Sequence, residues 1–263
     1  MKLTNIAQLA AVLISSLMVS VESHSWIDVL QVVGGTNPVG YTSKTPTAGT
    51  KLGYIRGYPD ARNDVLLTNR ILKSATAPAC MATQKTRKQQ NPNKPMLIAA
   101  PGSLVQANYT ENGHISKPNS DKQKSGTIYW YGTKEPKDDE RFADIREWTE
   151  DGKGGDQRGK QLGKSSDFDD GVCVEINNSP IATKRVAAGG GGACKSIFKV
   201  PEDLKDGDIY TVYWVWDFSE HFGKQTDPNA PEEIYTSCMD IQIVAAAPKR
   251  RVRRGISRTA GYR

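Results

Sequence analysis

The sequence predicts an all-β fold, an antiparallel β-sandwich of immunoglobulin-like or fibronectin-like type with long loops. Short stretches rich in β-branched and aromatic residues recur along the 263 residues, separated by Gly, Pro, Asn and Asp. This pattern is typical of strands joined by turns. No long stretch has the apolar periodicity of an amphipathic helix. Because all-β sandwiches often exceed about 200 residues, we expect a single domain over residues 24–246.

The strands are predicted from these stretches in chain order. They are residues 27–33, 52–58, 64–72, 95–100, 103–110, 126–132, 171–176, 196–200, 209–218 and 239–244. The clearest is 209–218, where Trp214 and Trp216 share one face and Tyr213 and Val215 the other, because side chains alternate along a strand. Both faces are mostly apolar, so we expect this strand at the centre of a sheet that is covered on both sides.

Two segments between the strands are predicted to be loops. Residues 133–170 form a charged insertion with one short helix around residues 138–148. Residues 186–193, VAAGGGGA, are rich in glycine but lack the GxxxxGK[ST] pattern of a phosphate-binding loop. We therefore expect the glycine segment to be a flexible connector.

The first 23 residues have the features of a secretory signal peptide. Lys2 gives a positive start, residues 6–21 are largely apolar, and Val21 and Ser23 are small residues at −3 and −1 of a cut before His24. The apolar run is too short and interrupted for a membrane span, which needs about 20 apolar residues. The sequence therefore predicts a secreted, extracellular protein with no membrane partner, whose mature chain begins at His24.

The cysteines agree with an oxidising compartment, because an even number in a secreted chain favours disulfides. They are Cys80, Cys173, Cys194 and Cys238. Three pairings are possible; we favour Cys173–Cys194, which closes a loop around the glycine run, and Cys80–Cys238, which joins the early half to the last strand. Two sequons, at Asn108 and Asn177, predict glycosylation in a eukaryotic host.

The net charge of +6 is concentrated in the C-terminal tail. Residues 248–263 contain seven Lys or Arg and no acid, so the remainder of the chain has a net charge of −1. We expect residues 247–263 to be disordered. A solvated or processed tail is favoured over a nucleic-acid-binding arm, and we expect no nucleic-acid partner.

The chain has three histidines, and two of them stand where metal ligands would be useful. At the mature N-terminus, His24 offers a free α-amine and an imidazole, and the amine and Nδ1 can chelate one metal. His114 follows the 103–110 strand on the turn sequence Glu-Asn-Gly-His. Nitrogen ligands in a planar set suit copper. The alternative is that each histidine is an ordinary polar residue.

This set of residues resembles that of lytic polysaccharide monooxygenases. In that family the N-terminal histidine and a second histidine form a copper "histidine brace", positions matched by His24 and His114. In fungal cellulose-active members a tyrosine shortly before a disulfide cysteine on the last strand is the axial group, matched by Tyr235 before Cys238. His221 is similar in placement to a histidine that hydrogen-bonds dioxygen species. Without the resemblance, Tyr235 is better interpreted as a buried sheet residue.

The sequence is more similar still to a family of fungal secreted proteins of unassigned function. The shared segments are HSW at residue 24, GYIRGY, ENGHIS, GTIYWYGT, FDDGVC, YTVYWVWDF and YTSCMDI. They cover most of residues 24–244. The similarity to the monooxygenases is narrower, since it consists of the ligand positions, a disulfide and the β-rich layout.

The monooxygenase resemblance implies an oxidoreductase that holds one copper ion and takes electrons from an external donor. It would oxidise a sugar C–H bond of a polysaccharide, and we expect a monomer. Glu233 stands where cellulose-active enzymes commonly have glutamine, so the resemblance does not identify which polysaccharide is the substrate. Glu233 and His221 would lie beside the copper. Trp26 and Tyr109 are the best candidates for stacking on a sugar, with core packing as the alternative for Trp26.

Two other functions compete with this one. A copper-binding protein without oxidase activity would keep both histidine ligands. A cell-wall or adhesion β-sandwich would bind its surface without metal. A hydrolase is disfavoured, because the sequence has no GxSxG nucleophile elbow and no assignable carboxylate pair.

Overall fold

The computed structural model describes residues 24–35, 52–88, 90–116, 124–175, 177–224 and 226–246. The predicted signal peptide and the predicted disordered tail lie outside these residues. The described part confirms the predicted fold class, an antiparallel β-sandwich whose two sheets contribute to one apolar core. None of its helices is long and apolar enough to cross a bilayer.

The described strands form a three-stranded and a seven-stranded sheet. In chain order they are β1 (Ile27–Gly35), β2 (Asn69–Ile71), β3 (Leu97–Ala99), β4 (Ser103–Tyr109), β5 (Thr127–Thr133), β6 (Gly159–Gln161), β7 (Ser166–Asp167), β8 (Cys194–Lys199), β9 (Ile209–Asp217) and β10 (Ile234–Ile243). The smaller sheet has the order β1-β4-β8. The larger has the order β2-β10-β9-β5-β6, with β3 beside β10 and β7 beside β5. Of these pairings, β3 with β10 is parallel and the others are antiparallel.

Strand β9 lies at the centre of the larger sheet, between β10 and β5. Trp214 and Trp216 belong to the core that the two sheets share. Tyr213 and Val215 belong to a second apolar cluster. Because both faces of the strand are buried, its sequence is apolar at nearly every position. The central, doubly covered strand predicted at 209–218 is thus confirmed.

The charged insertion covers the outer face of the larger sheet. It contains β6, β7 and the helix α2 (Phe142–Ile145), which falls inside the predicted helical region. Phe142, Ile145 and Trp148 are buried against Tyr213 in the second cluster. The indole of Trp148 donates to Asp156 Oδ1 at 2.8 Å. The insertion is therefore a packed cover, because its few apolar residues meet on one face.

Three predicted strands differ in the structure. Residues 52–58 form no strand and pair with β1 through one bridge, Gly53 to Leu30. The stretch 64–72 divides into the short helix α1 (Asp64–Leu67) and β2, because the Asn63 side chain accepts from Leu66 N and caps the helix. Within the third predicted strand, the described residues 171–175 contribute a single bridge, from Val174 to Gly192. In addition, β10 begins at Ile234, earlier than predicted.

The expected glycine connector is preceded by a helix that the sequence analysis did not predict. Helix α3 (Pro180–Ala187) overlaps the first two residues of segment 186–193. Ser179 Oγ accepts from Ala182 N at 3.1 Å, and Pro180 occupies the first turn. Serine followed by proline is a strong start signal for a helix, so the sequence contained a signal that the prediction did not use.

Both disulfides favoured from the sequence are present. Cys80 pairs with Cys238, and Cys173 pairs with Cys194. The first joins the segment after β2 to the middle of β10, and the second joins the 171–175 segment to the start of β8. The described residues contain no free cysteine.

Candidate metal centre

The segment that starts at His24 is fixed to both sheets. Ser25 Oγ donates to the Thr110 carbonyl at 2.9 Å, and Ile27 N donates to Ser237 Oγ on β10 at 3.1 Å. Ser25 and Ile27 are buried, whereas His24 is half-buried. The hydrogen bonds therefore anchor the chain immediately after His24 and leave that residue at the surface of the fold.

The carboxylate of Asp28 also fixes the segment that starts at His24. It accepts from Trp26 Nε1 at 2.8 Å, Tyr58 Oη at 3.1 Å and Thr110 Oγ1 at 3.2 Å. Burial raises the pKa of Tyr58 to about 12, and the charge of Asp28 adds to the shift. The phenol thus stays protonated near neutral pH and keeps donating to the carboxylate.

His114 lies on a tight turn beside this segment. The His114 N–H donates to the Glu111 carbonyl at 2.9 Å, and the two residues between have positive φ, +43° at Asn112 and +81° at Gly113. This is the mirror-image turn that Asn-Gly favours. Asn112 Nδ2 donates to the His24 carbonyl at 2.8 Å. The structure therefore brings the segments of the two predicted histidine ligands together.

The ring of His114 is buried among aromatic side chains and is 3% exposed. It meets the rings of Trp216 and Phe218 edge to face, with centroid distances of 4.4 and 4.5 Å. The ring of Tyr235 lies 6.4 Å away. Trp216 lies at the end of β9, Phe218 follows that strand directly, and Tyr235 lies at the start of β10, so the predicted axial group is in the same pocket.

The hydroxyl of Tyr235 donates to the carboxylate of Glu233. That carboxylate also accepts from Arg70 Nη2 at 3.0 Å. Tyr235 and Glu233 are buried, while about a third of the Arg70 side chain is exposed. Arg70 was not predicted as a site residue. It lies on β2 directly opposite Tyr235 on β10, which places its side chain here. The available signal in the sequence was a charge inside an apolar stretch.

His221 lies close to the pocket but behind another ring. It is half-buried on the 3₁₀ helix Ser219–Phe222. Its ring stacks on Phe218 with centroids 4.8 Å apart. Phe218 therefore contacts both His114 and His221.

The predicted sugar-stacking roles of Trp26 and Tyr109 are wrong, because both side chains are buried. Trp26 is 2% exposed, and the Arg62 guanidinium lies 4.6 Å above its ring. Tyr109 is fully buried, and its hydroxyl donates to the Phe168 carbonyl at 2.7 Å. Burial and nearby aspartates raise the pKa of Tyr109. Core packing, the alternative for Trp26, is what the structure has.

The two sequons lie in ordered segments. The Asn108 side chain, on β4, accepts from Gln106 Nε2 at 3.0 Å. Asn177 Nδ2 donates to Ser116 Oγ at 3.1 Å and to the Glu175 carbonyl at 2.8 Å. Glycosylation at either site stays a prediction.

The donor set in this pocket suits a metal that prefers nitrogen. Two imidazoles stand on segments joined by one hydrogen bond, and a phenol lies beside the second; such a set fits copper. Elsewhere among the described residues, the possible ligand atoms of Asp170, Cys173 and Cys194 lie within 4.8 Å of one another. The two sulfurs are joined in a disulfide, so this group is structural.

Comparison with known proteins gives one family match. The model of a domain of unknown function, DUF7492, matches residues 21–260. No curated protein matches the chain.

Several solved structures are weakly similar to the chain. One is a cellulose-active polysaccharide monooxygenase from M. thermophila, at 18% identity, with 86% of this chain and 80% of that chain covered and a TM-score of 0.39. Another is Cel61B from Hypocrea jecorina, a glycoside hydrolase family 61 member, at 12% identity, with coverages of 86% and 83% and a TM-score of 0.34. TM-scores below 0.5 do not assign an activity.

Proposed function

The chain belongs to the DUF7492 family, and from its site we propose that the secreted chain, cut before His24, is a copper-dependent monooxygenase-like protein acting on a polysaccharide. The observation that carries this proposal is the hydrogen bond from Asn112 to the His24 carbonyl. It joins a residue with a prospective free amine to the turn that bears the second imidazole. The disulfides are consistent with secretion.

The proposed ligands are the α-amine and ring of His24 and the ring of His114. When bound and reduced by an external donor, copper supplies the one-electron chemistry that activates dioxygen or peroxide. Tyr235 would lie beside the metal, and the hydrogen bond that its hydroxyl donates to the Glu233 carboxylate fixes the orientation of the phenol. His221, whose ring stacks on Phe218 at the edge of the pocket, is the proposed hydrogen-bonding histidine beside the site.

A second function, copper binding without oxidation, is favoured by one observation. Trp26 and Tyr109, the predicted sugar-stacking residues, are both buried. A protein that only acquires copper would need the two histidines and no polysaccharide surface. An adhesion module without metal would need neither histidine.

The test uses protein secreted with its native signal, so that processing is authentic. N-terminal sequencing, calorimetry with Cu(II) and EPR of the one-to-one complex are followed by assays of peroxide production and of sugar oxidation on a panel of polysaccharides. We expect a His24 start, tight one-to-one binding and a nitrogen-rich axial spectrum. Copper binding without either activity would favour metal acquisition, and no binding would favour the adhesion module.

Two histidine variants provide a matched comparison. His114→Ala removes a proposed ligand and should abolish tight binding. His221→Ala removes the histidine that stacks on Phe218 and should keep one-to-one binding. Equal affinities in the two variants would contradict the proposed ligand set.

A further inference from the structure

We propose that Asn112 is a positioning residue that sets the geometry of the two histidine ligands, an inference that rests on the proposed copper site. Its Nδ2 donates to the His24 carbonyl at 2.8 Å, and it stands two residues before His114. One side chain therefore joins the first residue of the mature chain to the turn of the second ligand. Mutation of a group that orients a metal ligand typically lowers metal affinity by about 10–100-fold.

The turn that carries Asn112 is held firmly by Glu111. The carboxylate of Glu111, which is buried, accepts hydrogen bonds from the backbone N–H groups of Ile115 (2.8 Å), Ser116 (3.3 Å) and Glu175 (3.0 Å) and from the Ser116 hydroxyl. The Glu111 carbonyl accepts from His114 N. The backbone is thus fixed before and after His114, so a hydrogen bond from this turn can hold His24 in a defined place.

The backbone at position 112 restricts which residues fit there. With φ of +43°, the position favours asparagine or glycine over most other residues. Glycine keeps the conformation and removes the amide. Aspartate keeps the size, but its carboxylate cannot donate to a carbonyl. Together the two substitutions separate the effect of the turn conformation from the effect of the hydrogen bond to His24.

The experiment compares mature wild type with Asn112→Gly and Asn112→Asp. Asn93→Asp is the control, because its amide donates to Asp60 at 3.0 Å and contacts neither histidine. Copper affinity is measured by calorimetry, ligand geometry by EPR and folding by thermal melting. We expect both Asn112 variants to bind Cu(II) about 10–100-fold more weakly with changed copper hyperfine splitting. Asn112→Gly should melt close to wild type, and the control should match wild type in affinity and spectrum.

The outcomes separate this inference from the proposed function. Unchanged affinity and spectrum in both Asn112 variants would overturn the positioning role while the copper site stands. Absence of copper binding in wild type would overturn the site and the positioning role together. If Asn112→Asp melts at a lower temperature than wild type, the affinity and spectrum of Asn112→Gly decide the question, because that variant retains the turn.

Discussion

Arg56 and Asp240 form an ion pair in the protein interior, with both side chains at most 1% exposed. Nε and Nη2 of the guanidinium donate to the two carboxylate oxygens at 2.9 and 2.7 Å. Nη1 donates to the Gln84 and Lys85 carbonyls. The pair explains why an arginine stands inside the motif GYIRGY: it is the buried partner of a carboxylate on β10.

The Arg56–Asp240 pair should make the free energy of unfolding depend on pH in the acid range. Burial alone would raise the pKa of Asp240, but the hydrogen bond and charge of Arg56, with Thr211 and the Lys88 N–H, lower it. A depressed pKa contributes stability above the unfolded value of about 3.9, and that stability is lost as the pH falls through the folded value. We expect the unfolding free energy to decrease as the pH falls below about 4.

Substitution of the carboxylate gives the test. Asp240→Asn should cost about 3–5 kcal/mol at pH 7, because it leaves a buried guanidinium without its counter-charge. It should also flatten the acid dependence measured by urea unfolding between neutral and acid pH. Asp139→Asn, at an exposed aspartate, is the control. Equal acid slopes in wild type and Asp240→Asn would refute the assignment.

The residues of the candidate site could be predicted from the sequence only as residue types at suggestive positions. Their partners could not, because these depend on contacts between distant segments. Arg70 meets Glu233 only through the pairing of β2 with β10. Trp26 is buried in the apolar core, where its indole donates to Asp28 and Arg62 lies over its ring, and nothing in the spacing of these residues indicates those contacts.

At the scale of elements, β4 and β9 were predictable from the sequence, whereas the short helices α1 and α3 were not. Buried and more exposed side chains alternate along β4, and β9 is apolar on both faces. Both patterns are visible in the sequence. The four residues of α1 lie in an apolar stretch that is typical of a strand. Short helices have little intrinsic stability, so caps and tertiary packing decide whether they form.

The two disulfides should differ in their contribution to stability. Cys80–Cys238 spans 158 residues and Cys173–Cys194 spans 21. Because loop-closure entropy grows with the logarithm of loop length, removal should cost about 5 kcal/mol for the first and about 3 kcal/mol for the second. The measurement is urea unfolding of the paired variants Cys80→Ala/Cys238→Ala and Cys173→Ala/Cys194→Ala. The opposite order of stabilities would contradict the entropic account.

At the scale of the molecule, the antiparallel topology places the candidate site at one end of the sandwich. The start of β1 pairs with the end of β4, Ile27 opposite Tyr109, and the start of β10 pairs with the end of β9, Ile234 opposite Asp217. The hydrogen bond from Ile27 to Ser237 connects the two sheets there. Strand ends that are far apart in sequence therefore converge, as sites on rigid scaffolds often do.

The proposed ligand set requires the N-terminal cut before His24, whereas the fold does not. The buried anchors begin at Ser25, after the proposed terminus. A mature chain extended by four residues, to begin at Ser20, should therefore melt like the chain that begins at His24, and its new amine is too far along the chain to chelate together with the His24 ring. Its His24 nitrogen, however, would be a peptide amide rather than a basic amine, so one of the three proposed ligands is lost. We expect the extended chain to lose tight one-to-one binding and the axial EPR spectrum.

Comparing copper binding by the extended chain and by the chain that begins at His24 separates a site that uses the His24 amine from a site made only of imidazole rings. A site made only of imidazole rings, as on many metal-binding surfaces, would bind Cu(II) equally well in both chains, since His24 and His114 keep their side chains. Equal affinities would therefore remove the amine from the ligand set even if copper binds. Loss of affinity in the extended chain, with melting unchanged, would identify the cut before His24 as the step that creates the site.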